Sequence, residues 1–517
     1  MGRASHITPP EHVSNKTAED AVSIDVDESS IICVRLRDDG YDILSLREDT
    51  SEDGSLSFHL SRQSATDVPE SLLDRFLVKE APEHLRATDT RQVHLVVSTR
   101  SGTGLALDFY QSVLQPLLGE FGLSAAASEG DDGKSSSLLH LVTTQDAQSI
   151  QDFAANLAPG VEHTLVLLSG DGGIVESLNG KATVDDDDDD NTGGPGEPSR
   201  PRRSLPLIAM LPLGTGNALF NSLHKGVYAA YSGNSSAESA AAAPSPLVLG
   251  LRTLLRGRRA PLPSFRVDFS PGSQQISYRG PADAGAPGAI AAVEEQLRPV
   301  THLYGAIVAS YGFHAQLVWE SDTPEYRKHG AKRFGMVAEE LLKESHAYDA
   351  RVDRNLLPSS SSGLESVQKP IERQRHTYVL ATLVSNLERT FTISPASQPL
   401  DGLLRLVHFG PVGGERTMEI MTRAYDDGKH VGMTWTTATT AATDGSKEEK
   451  QEGVGYEQVG EVRVETREED ARWRKVCIDG TIVELPPGGS MTVRTESVPH
   501  LDILVDPSVV AAAAASI

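Results

Sequence analysis

One carboxylate, Asp171, stands between glycines where an apolar run ends, in the sequence LVLLSGDGGIVES. Glycine lets backbone N–H groups approach an anion without an intervening Cβ atom. A carboxylate at such a place would repel a phosphate, so it needs another task. It can take a proton from an attacking hydroxyl or hold a divalent cation that neutralises phosphates. The structural alternative is an aspartate that hydrogen-bonds its own turn.

Two further glycine turns have the same setting. Residues 101–104 follow the strand candidate 91–99, and residues 214–216 follow the apolar run 205–213. Ligands of an open parallel sheet bind at the carboxyl ends of its strands, and the N-terminus of a following helix also favours an anion. Three such turns, with 170–173 as the third, predict a phosphate site at one edge of a sheet.

The elements that must position these turns alternate between strands and helices. This order predicts a three-layer α/β domain with a mostly parallel sheet over residues 89–225. From 246 to 505, short β-like runs predict a mostly antiparallel β-sandwich domain with one helical interlude. The other predicted segments are a disordered tail 1–30, a small accessory β region 31–88, an acidic insertion 183–203, a flexible loop 226–245, an insertion 434–453 and a tail 506–517.

Composition excludes several classes of protein. The chain has 517 residues, 38% of them hydrophobic, which is typical of a soluble globular protein with two or three domains. Its formal net charge of -25 argues against nucleic acid as a partner. No apolar run approaches the roughly 20 residues of a transmembrane helix. Two cysteines, Cys33 and Cys477, provide neither a disulfide framework nor a thiolate metal site, so we expect a cytoplasmic protein.

The acidic insertion contains six consecutive aspartates at 185–190. A cation-binding loop is one interpretation of this run. Composition favours the other, a solvated insertion without a packed core.

The glycine blocks resemble those of the diacylglycerol kinase catalytic-domain family, and within it the sphingosine kinase and ceramide kinase branch. SGDGGIVESLNG matches the Gly-Asp-Gly block, LPLGTGNALFNSL the second block, and STRSGTG sits at the first nucleotide loop. SYGFHAQLVWES with YRKHGAKRFG resembles the lipid-kinase block that opens the β-domain, and VCIDG the late Asp-Gly block. These five blocks run in order from about residue 91 to residue 497.

The resemblance implies that ATP and Mg²⁺ bind in a cleft between the two domains. It implies transfer of the γ-phosphoryl group to a hydroxyl of a sphingoid base, ceramide or diacylglycerol-type lipid, with Asp171 as the general base and Asp479 assisting the metal. Arg327 and Arg333 would reach the ATP phosphates. The other implied nucleotide contacts are Ser101, Gly102, Thr103, Thr143 or Thr144, Gly170, Gly172, Gly214, Thr215, Gly216 and Asn217.

Departures from the family pattern bear on activity and substrate. Thr103 stands where sphingosine kinases carry a lysine, and Thr481 replaces the glutamate after the late Asp-Gly. Gln316 and Val318 stand where sphingosine kinases carry aspartates, one of which would pair with the sphingoid ammonium. Neutral residues cannot supply that charge, which favours diacylglycerol or ceramide. Glu320 is the remaining candidate for an amine partner.

A basic, leucine-rich stretch at 247–263 allows two interpretations. It predicts either an amphipathic helix on an anionic membrane, with the protein peripheral on internal membranes, or a domain-linking helix packed on the core, which we favour. The expected partner is thus a lipid substrate at a membrane surface. Two functions compete with the lipid kinase: a soluble-substrate kinase of the NAD kinase type, and a catalytically silent lipid-binding protein that keeps the fold.

Overall fold

A computed structural model describes most of the chain. The described residues are 26–52, 54–99, 102, 104–127, 138–146, 148–189, 204–232, 243–279, 294–330, 332–356, 367–440 and 447–515. Most of the predicted tail 1–30 and of the acidic insertion 183–203 therefore lies outside the described residues.

The strands of the described residues form sheets of seven, fourteen, three and two strands. In chain order they are β1 Ile31–Arg37, β2 Gly40–Thr50, β3 Leu56–Ala65, β4 Arg91–Val97, β5 Ser124–Ala127, β6 Leu138–Thr143, β7 Glu162–Ser169, β8 Leu207–Pro212, β9 Arg258–Pro261, β10 Phe265–Phe269, β11 Gln274–Arg279, β12 Glu294–Pro299, β13 His302–Gly305, β14 Val308–Gly312, β15 Tyr348–Leu356, β16 Val367–Pro370, β17 Arg375–His376, β18 Tyr378–Thr382, β19 Arg405–Phe409, β20 Thr434–Thr440, β21 Lys447–Gly453, β22 Gly455–Thr466, β23 Lys475–Ile478, β24 Thr481–Glu484, β25 Ser490–Thr495 and β26 Asp502–Val505.

Helices cover the sheets and connect their strands. They are α1 Glu70–Phe76, α2 Ala106–Phe109, α3 Gln115–Glu120, α4 Ser149–Ala155, α5 Asp171–Asp189, α6 Ala218–Leu223, α7 Lys225–Ser232, α8 Pro246–Arg256, α9 Phe313–Ser321, α10 Pro324–Arg327, α11 Lys332–Glu344, α12 Gly414–Tyr425 and α13 Pro507–Ala515. A π-helical turn, Tyr110–Leu114, joins α2 to α3.

The seven-stranded sheet has the order β5-β6-β4-β7-β8-β26-β9, and only the β26–β9 pair is antiparallel. Every residue of β8 is buried, as expected for a parallel strand covered on both faces. After β4 the chain continues to β5 at one edge of the sheet, whereas after β7 it continues to β8, in the direction of the other edge. The topological switch point therefore lies between β4 and β7, the strands that precede two of the glycine turns. The predicted parallel α/β architecture is confirmed.

The fourteen-stranded sheet is antiparallel throughout. Its path is β12-β11-β24-β23-β14-β18-β19-β22-β25-β10-β13, with β15 attached to β22 and carrying β16 and β17. Buried side chains from distant strands meet in one cluster, including Phe265 of β10, Val379 of β18 and Val476 of β23. The sheet thus curls so that distant strands share this core, which confirms the predicted mostly antiparallel β-domain.

Segments that follow the glycine turns in the chain also pack on the parallel sheet or extend it. Helix α8 packs on β8, where a side chain on Gly250 would meet the carbonyl of Met210 at 3.2 Å. Strands β9 and β26 extend the same sheet. Both strands lie inside the predicted β-domain, 246–505, so its predicted boundaries do not separate the two sheets. The sequence of a short β-strand does not indicate which sheet the strand joins. Helices α7 and α13 and the β20–β21 hairpin occupy parts of the predicted loop 226–245, tail 506–517 and insertion 434–453.

The basic stretch 247–263 does not present an exposed apolar face. The leucines of α8 are buried, and Arg252 turns toward the three-stranded sheet β1–β3. Its guanidinium donates to the backbone carbonyls of Ile31 at 2.7 Å and Glu28 at 2.8 Å. The helix therefore joins the accessory sheet to the α/β domain. Within the described residues, no helix combines the length and apolar character that crossing a bilayer requires.

Gly180 lets helices α4 and α5 pack closely. A Cβ atom at this position would lie 2.2 Å from the carbonyl of Gln151 and 3.0 Å from the side chain of Ala154. We predict that Gly180→Ala lowers the free energy of unfolding by about 1–3 kcal/mol, because backbone must move to admit the methyl group. Gly119→Ala in α3 is the matched control, since nothing lies within 4 Å of its Cβ position. It should raise stability by about 0.5–1 kcal/mol in urea denaturation. Equal effects of the two substitutions would contradict the close packing.

Candidate active site

The three glycine turns converge at the carboxyl ends of β4, β7 and β8. Gly102 has a φ of +57°, and a Cβ atom on it would lie 2.6 Å from the carbonyl of Leu213 and 2.7 Å from the Cα of Gly214. A Cβ atom on Gly214 would lie 2.4 Å from the Cα of Gly170. The turns therefore touch backbone to backbone, and glycine is required at these contacts.

Asp171 joins two of these turns. It is the first residue of α5, and its carboxylate accepts hydrogen bonds from the backbone N–H groups of Ala218 at 2.6 Å and Leu219 at 3.2 Å. Those groups open helix α6, so the carboxylate caps a helix 47 positions along the chain. Burial raises the pKa of Asp171 to about 6, although the two N–H groups oppose the shift. These two hydrogen bonds thus tie the carboxylate to a neighbouring helix.

Asn217 fixes the shape of the third turn. It adopts the left-handed conformation, with φ 51° and ψ 47°. Its Oδ1 accepts from the N–H of Gly214 at 3.1 Å, and its Nδ2 donates to the carbonyl of the same residue at 2.9 Å. Asn221 donates to the carbonyl of Gly216 at 2.9 Å. The side chain of Thr215 is exposed at the tip of this braced turn.

Thr144 connects the ends of β4 and β6. Its backbone N–H donates to the carbonyl of Val97 at 3.0 Å, and its Oγ1 accepts from the N–H of Thr99 at 3.3 Å. The Thr99 hydroxyl in turn donates to the Thr144 carbonyl at 3.1 Å. These bonds anchor the base of the first glycine loop, so the buried Thr144 has a structural task whether or not it contacts nucleotide.

The structure describes two of the four other predicted nucleotide contacts of this domain. Gly172 and Thr143 are exposed, the first in the opening turn of α5 and the second at the end of β6. Ser101 and Thr103 lie outside the described residues. The role of all four in nucleotide binding stays a prediction.

Asp479 brings a second carboxylate to the cleft from the β-domain. This buried side chain accepts from the backbone N–H groups of Ala306 at 2.6 Å, Ile307 at 3.1 Å and Val308 at 2.5 Å. It thereby holds the connection between β13 and β14. Burial raises the pKa of Asp479 to about 7, and the charge of Asp171 contributes to the rise. The two domains therefore place two carboxylates within electrostatic reach of each other.

This pair fits a cation that arrives with phosphates. Mg²⁺ is usually bound by one or two carboxylates together with phosphate oxygens and water, and not by an all-protein cage. The described residues contain no group of three or more His, Cys, Asp or Glu side chains arranged for a metal. Two like charges in a low-dielectric cleft also favour an added cation. Asp479 and Asp171 are the residues that would face it.

Arg327 and Arg333 share one carboxylate at the end of α9. Arg327 makes two hydrogen bonds to Asp322, at 3.0 Å and 2.6 Å, while Nη2 of Arg333 lies 3.7 Å from the same carboxylate. The Nε of Arg333 is buried and has no hydrogen-bond partner among the described residues. The pair thus carries more positive charge than Asp322 neutralises, and its contact with ATP phosphates stays a prediction.

Two residues of α5 have surroundings that the sequence did not reveal. The amide of Asn179 donates to the carbonyl of Tyr304 and accepts from its N–H, both at 2.9 Å, which fastens α5 to β13 of the other domain. Glu176 lies beside Gly172, and burial together with the charge of Asp146 raises its pKa to about 8. Each is a polar residue within the apolar pattern of a helix, which could have marked it in the sequence as a candidate for a specific contact. The pattern does not identify the partner residue.

Comparison with known proteins agrees with these observations on the first domain. The profile of the diacylglycerol kinase catalytic domain matches residues 92–242, a range that contains the three glycine turns and Asp171. No curated protein sequence matches the chain.

Among solved structures, a diacylglycerol kinase from Bacillus anthracis str. Sterne is 13% identical, covering 82% of this chain and 99% of its own, with a TM-score of 0.41. Two further structures from that bacterium are each described as a diacylglycerol kinase by provisional assignment. They are 14% and 13% identical to this chain. They cover 82% and 81% of this chain and 99% of their own, with TM-scores of 0.43 and 0.44. The profile match identifies residues 92–242 as a diacylglycerol kinase catalytic domain.

Proposed function

We propose that this protein is an ATP-dependent lipid kinase that transfers the γ-phosphoryl group to a lipid hydroxyl. The observation that carries the proposal is the position of Asp171, whose carboxylate caps α6 where three glycine turns meet. Backbone N–H groups and helix N-termini at such a place suit a triphosphate. A carboxylate there suits the acceptor hydroxyl.

Phosphoryl transfer to a hydroxyl requires a base that is ionised near neutral pH and can still accept a proton. An ordinary aspartate is a weak base, whereas Asp171 has a pKa of about 6. The lipid oxygen would form a bond to the γ-phosphorus as the bond to the β–γ bridging oxygen breaks and ADP leaves. The hydroxyl proton would pass to Oδ of Asp171.

Charge on the phosphates would be met by groups from both domains. Gly170, Gly172, Gly214, Thr215 and Gly216 would offer backbone N–H groups, and the turn held by Asn217 would keep their geometry. Mg²⁺ bound with ATP would neutralise phosphate charge beside Asp479. Arg327 and Arg333 would add guanidinium donors if they turn from Asp322 toward the nucleotide.

A neutral lipid head is the substrate class that α9 favours. Glu320, the acid that could pair with an amine, already accepts from Gln316 at 2.6 Å and from Arg472 at 3.0 Å. The other acid at this end, Asp322, is engaged by Arg327. The partly buried Val318 packs against a cluster that contains Ile276 and Ile482, and it carries no charge. An ammonium group would find no unpaired carboxylate on α9, which favours a diacylglycerol-type or ceramide-type substrate.

Substrate choice can be tested with γ-³²P-ATP and a panel of diacylglycerol, ceramide, sphingosine and NAD. We predict product with diacylglycerol or ceramide and at least tenfold lower kcat/KM with sphingosine. Val318→Asp should raise kcat/KM for sphingosine at least tenfold by supplying a carboxylate, and Val318→Asn, its uncharged match, should not. Product with NAD alone would support the NAD kinase type. Lipid binding without any product would support the catalytically silent protein.

The role of Asp171 can be tested by Asp171→Asn. An amide oxygen still accepts a hydrogen bond from α6 but cannot take the proton, so kcat should fall by about 10²–10⁴. ATP affinity, measured by calorimetry, should stay within about tenfold of wild type. The thermal midpoint serves as the control for folding. A variant that is folded and keeps wild-type kcat would remove Asp171 from the chemistry.

The phosphate cradle can be tested with two glycines of one turn. Gly214→Ala should lower the free energy of unfolding by about 1–3 kcal/mol, because its Cβ would collide with backbone. Gly216→Ala should leave stability unchanged, since its nearest neighbour, the carbonyl of Leu387, lies at 3.7 Å. Both should weaken ATP binding about tenfold or more, the second by keeping phosphate from the backbone. Unchanged ATP affinity in Gly216→Ala would mean that this glycine does not approach the nucleotide.

A further inference from the structure

A cavity lies where the accessory region, the α/β domain and the β-domain meet. Its volume is about 850 Å³, and its walls come from α1, α7, α8, α13 and the loop around residues 395–399. None of the three glycine turns lines it. The cavity is therefore separate from the candidate active site, and its size is within the range of about 300–1,000 Å³ that is usual for small-molecule sites.

The walls are apolar and the charges are mostly basic. Apolar lining comes from Phe76, Val227, Leu249, Pro399 and Val509. The charged lining residues are four cations, Arg75, Lys225, Arg252 and Arg256, and two acids, Asp74 and Asp506. An excess of positive charge is notable on a chain whose formal charge is -25. The combination suits a ligand with an apolar body and an anionic end.

Two of these cations have no carboxylate partner in the part of the chain that the structure describes. Arg75 pairs with Glu28, and Lys225 lies 3.4 Å from Asp427. Arg252 donates instead to backbone carbonyls and to a tyrosine hydroxyl.

Among the described residues, Arg256 donates to the backbone carbonyl of Asp74, at 3.2 Å. Neither Arg252 nor Arg256 has an ion pair within the described part of the chain. Burial lowers the pKa of both guanidinium groups.

The charge of Asp506, an acid that lines the cavity, offsets that of Arg256 only in part. Asp506 accepts from the N–H of Ser508 at 2.9 Å and from its hydroxyl at 2.5 Å, and so caps α13. Its charge raises the pKa of Arg256, but burial is the larger effect. Two guanidinium groups beside apolar walls thus retain donors and charge for an anion, where a charge-assisted hydrogen bond is strong.

We propose that this cavity binds an anionic amphiphile, an acyl chain that ends in a phosphate or a carboxylate. The chain would lie against the apolar walls, and the head group would reach Arg252 and Arg256. The site is distinct from the catalytic cleft, so its occupation does not depend on the proposed kinase activity.

Calorimetry on the full chain with four probes tests the chemistry. Decyl phosphate or decanoate should bind at least tenfold more tightly than inorganic phosphate and than decanol, because both the chain and the charge are needed. The stronger of the two anions identifies the head group. Equal binding of decanol and the anions, or no binding of either anion, would overturn the proposal.

Matched variants locate the site. Arg256→Gln should weaken binding of the preferred anion at least tenfold, whereas Arg258→Gln, an exposed neighbour that does not line the cavity, should change it less than twofold. Ala230→Trp, at an exposed position of the rim, should block entry. Both cavity variants should keep the thermal midpoint and the lipid kinase rate measured without amphiphile. Wild-type affinity in Arg256→Gln and Ala230→Trp together would place any bound amphiphile elsewhere and refute the assignment.

Discussion

The hydrogen bonds from the start of α6 to the carboxylate of Asp171 are the interaction on which the candidate site depends. They tie the turn after β7 to the turn after β8, and they hold the only charged group of the Gly-Asp-Gly turn in a fixed place. The contact of Gly170 with Gly214 permits this approach, because any Cβ atom would separate the two turns. Burial raises the pKa of Asp171 to about 6, and these two hydrogen bonds oppose the rise.

Hydrogen bonds that involve the β-domain are a second constraint on the geometry of the site. Asn179 pairs with the backbone of Tyr304, and Asp479 collects three N–H groups from the following segment. One buried cluster contains side chains of α5 and α6 together with Tyr304 and Tyr378 of the β-domain. The relative position of the two carboxylates is therefore set by packing and by backbone hydrogen bonds, which lowers the reorganisation needed when charged phosphates bind.

The sequence predicted the features that depend on local patterns. Glycine turns at the ends of apolar runs indicated the meeting of Gly102, Gly170 and Gly214, because parallel strands place their carboxyl ends at one edge. It did not predict which sheet β9 and β26 would join, or that Asn179 would pair with Tyr304. Those contacts join residues far apart in the chain, and a single sequence carries no signal for the partner. The pairing of Glu320 with Arg472, which bears on substrate choice, is of the same kind.

We propose that the carboxylate of Asp171, which interacts electrostatically with Asp479, accepts the substrate proton. The pH dependence of kcat/KM for the wild-type enzyme tests this proposal most directly, since that profile reports ionisations of the free enzyme. Because burial raises both pKa values, to about 6 and about 7, the ionised base is lost as the pH falls through this range. We predict a rate that is level above pH 7 and declines below pH 6 by about tenfold per pH unit. A rate that stays level down to pH 5 would contradict the account.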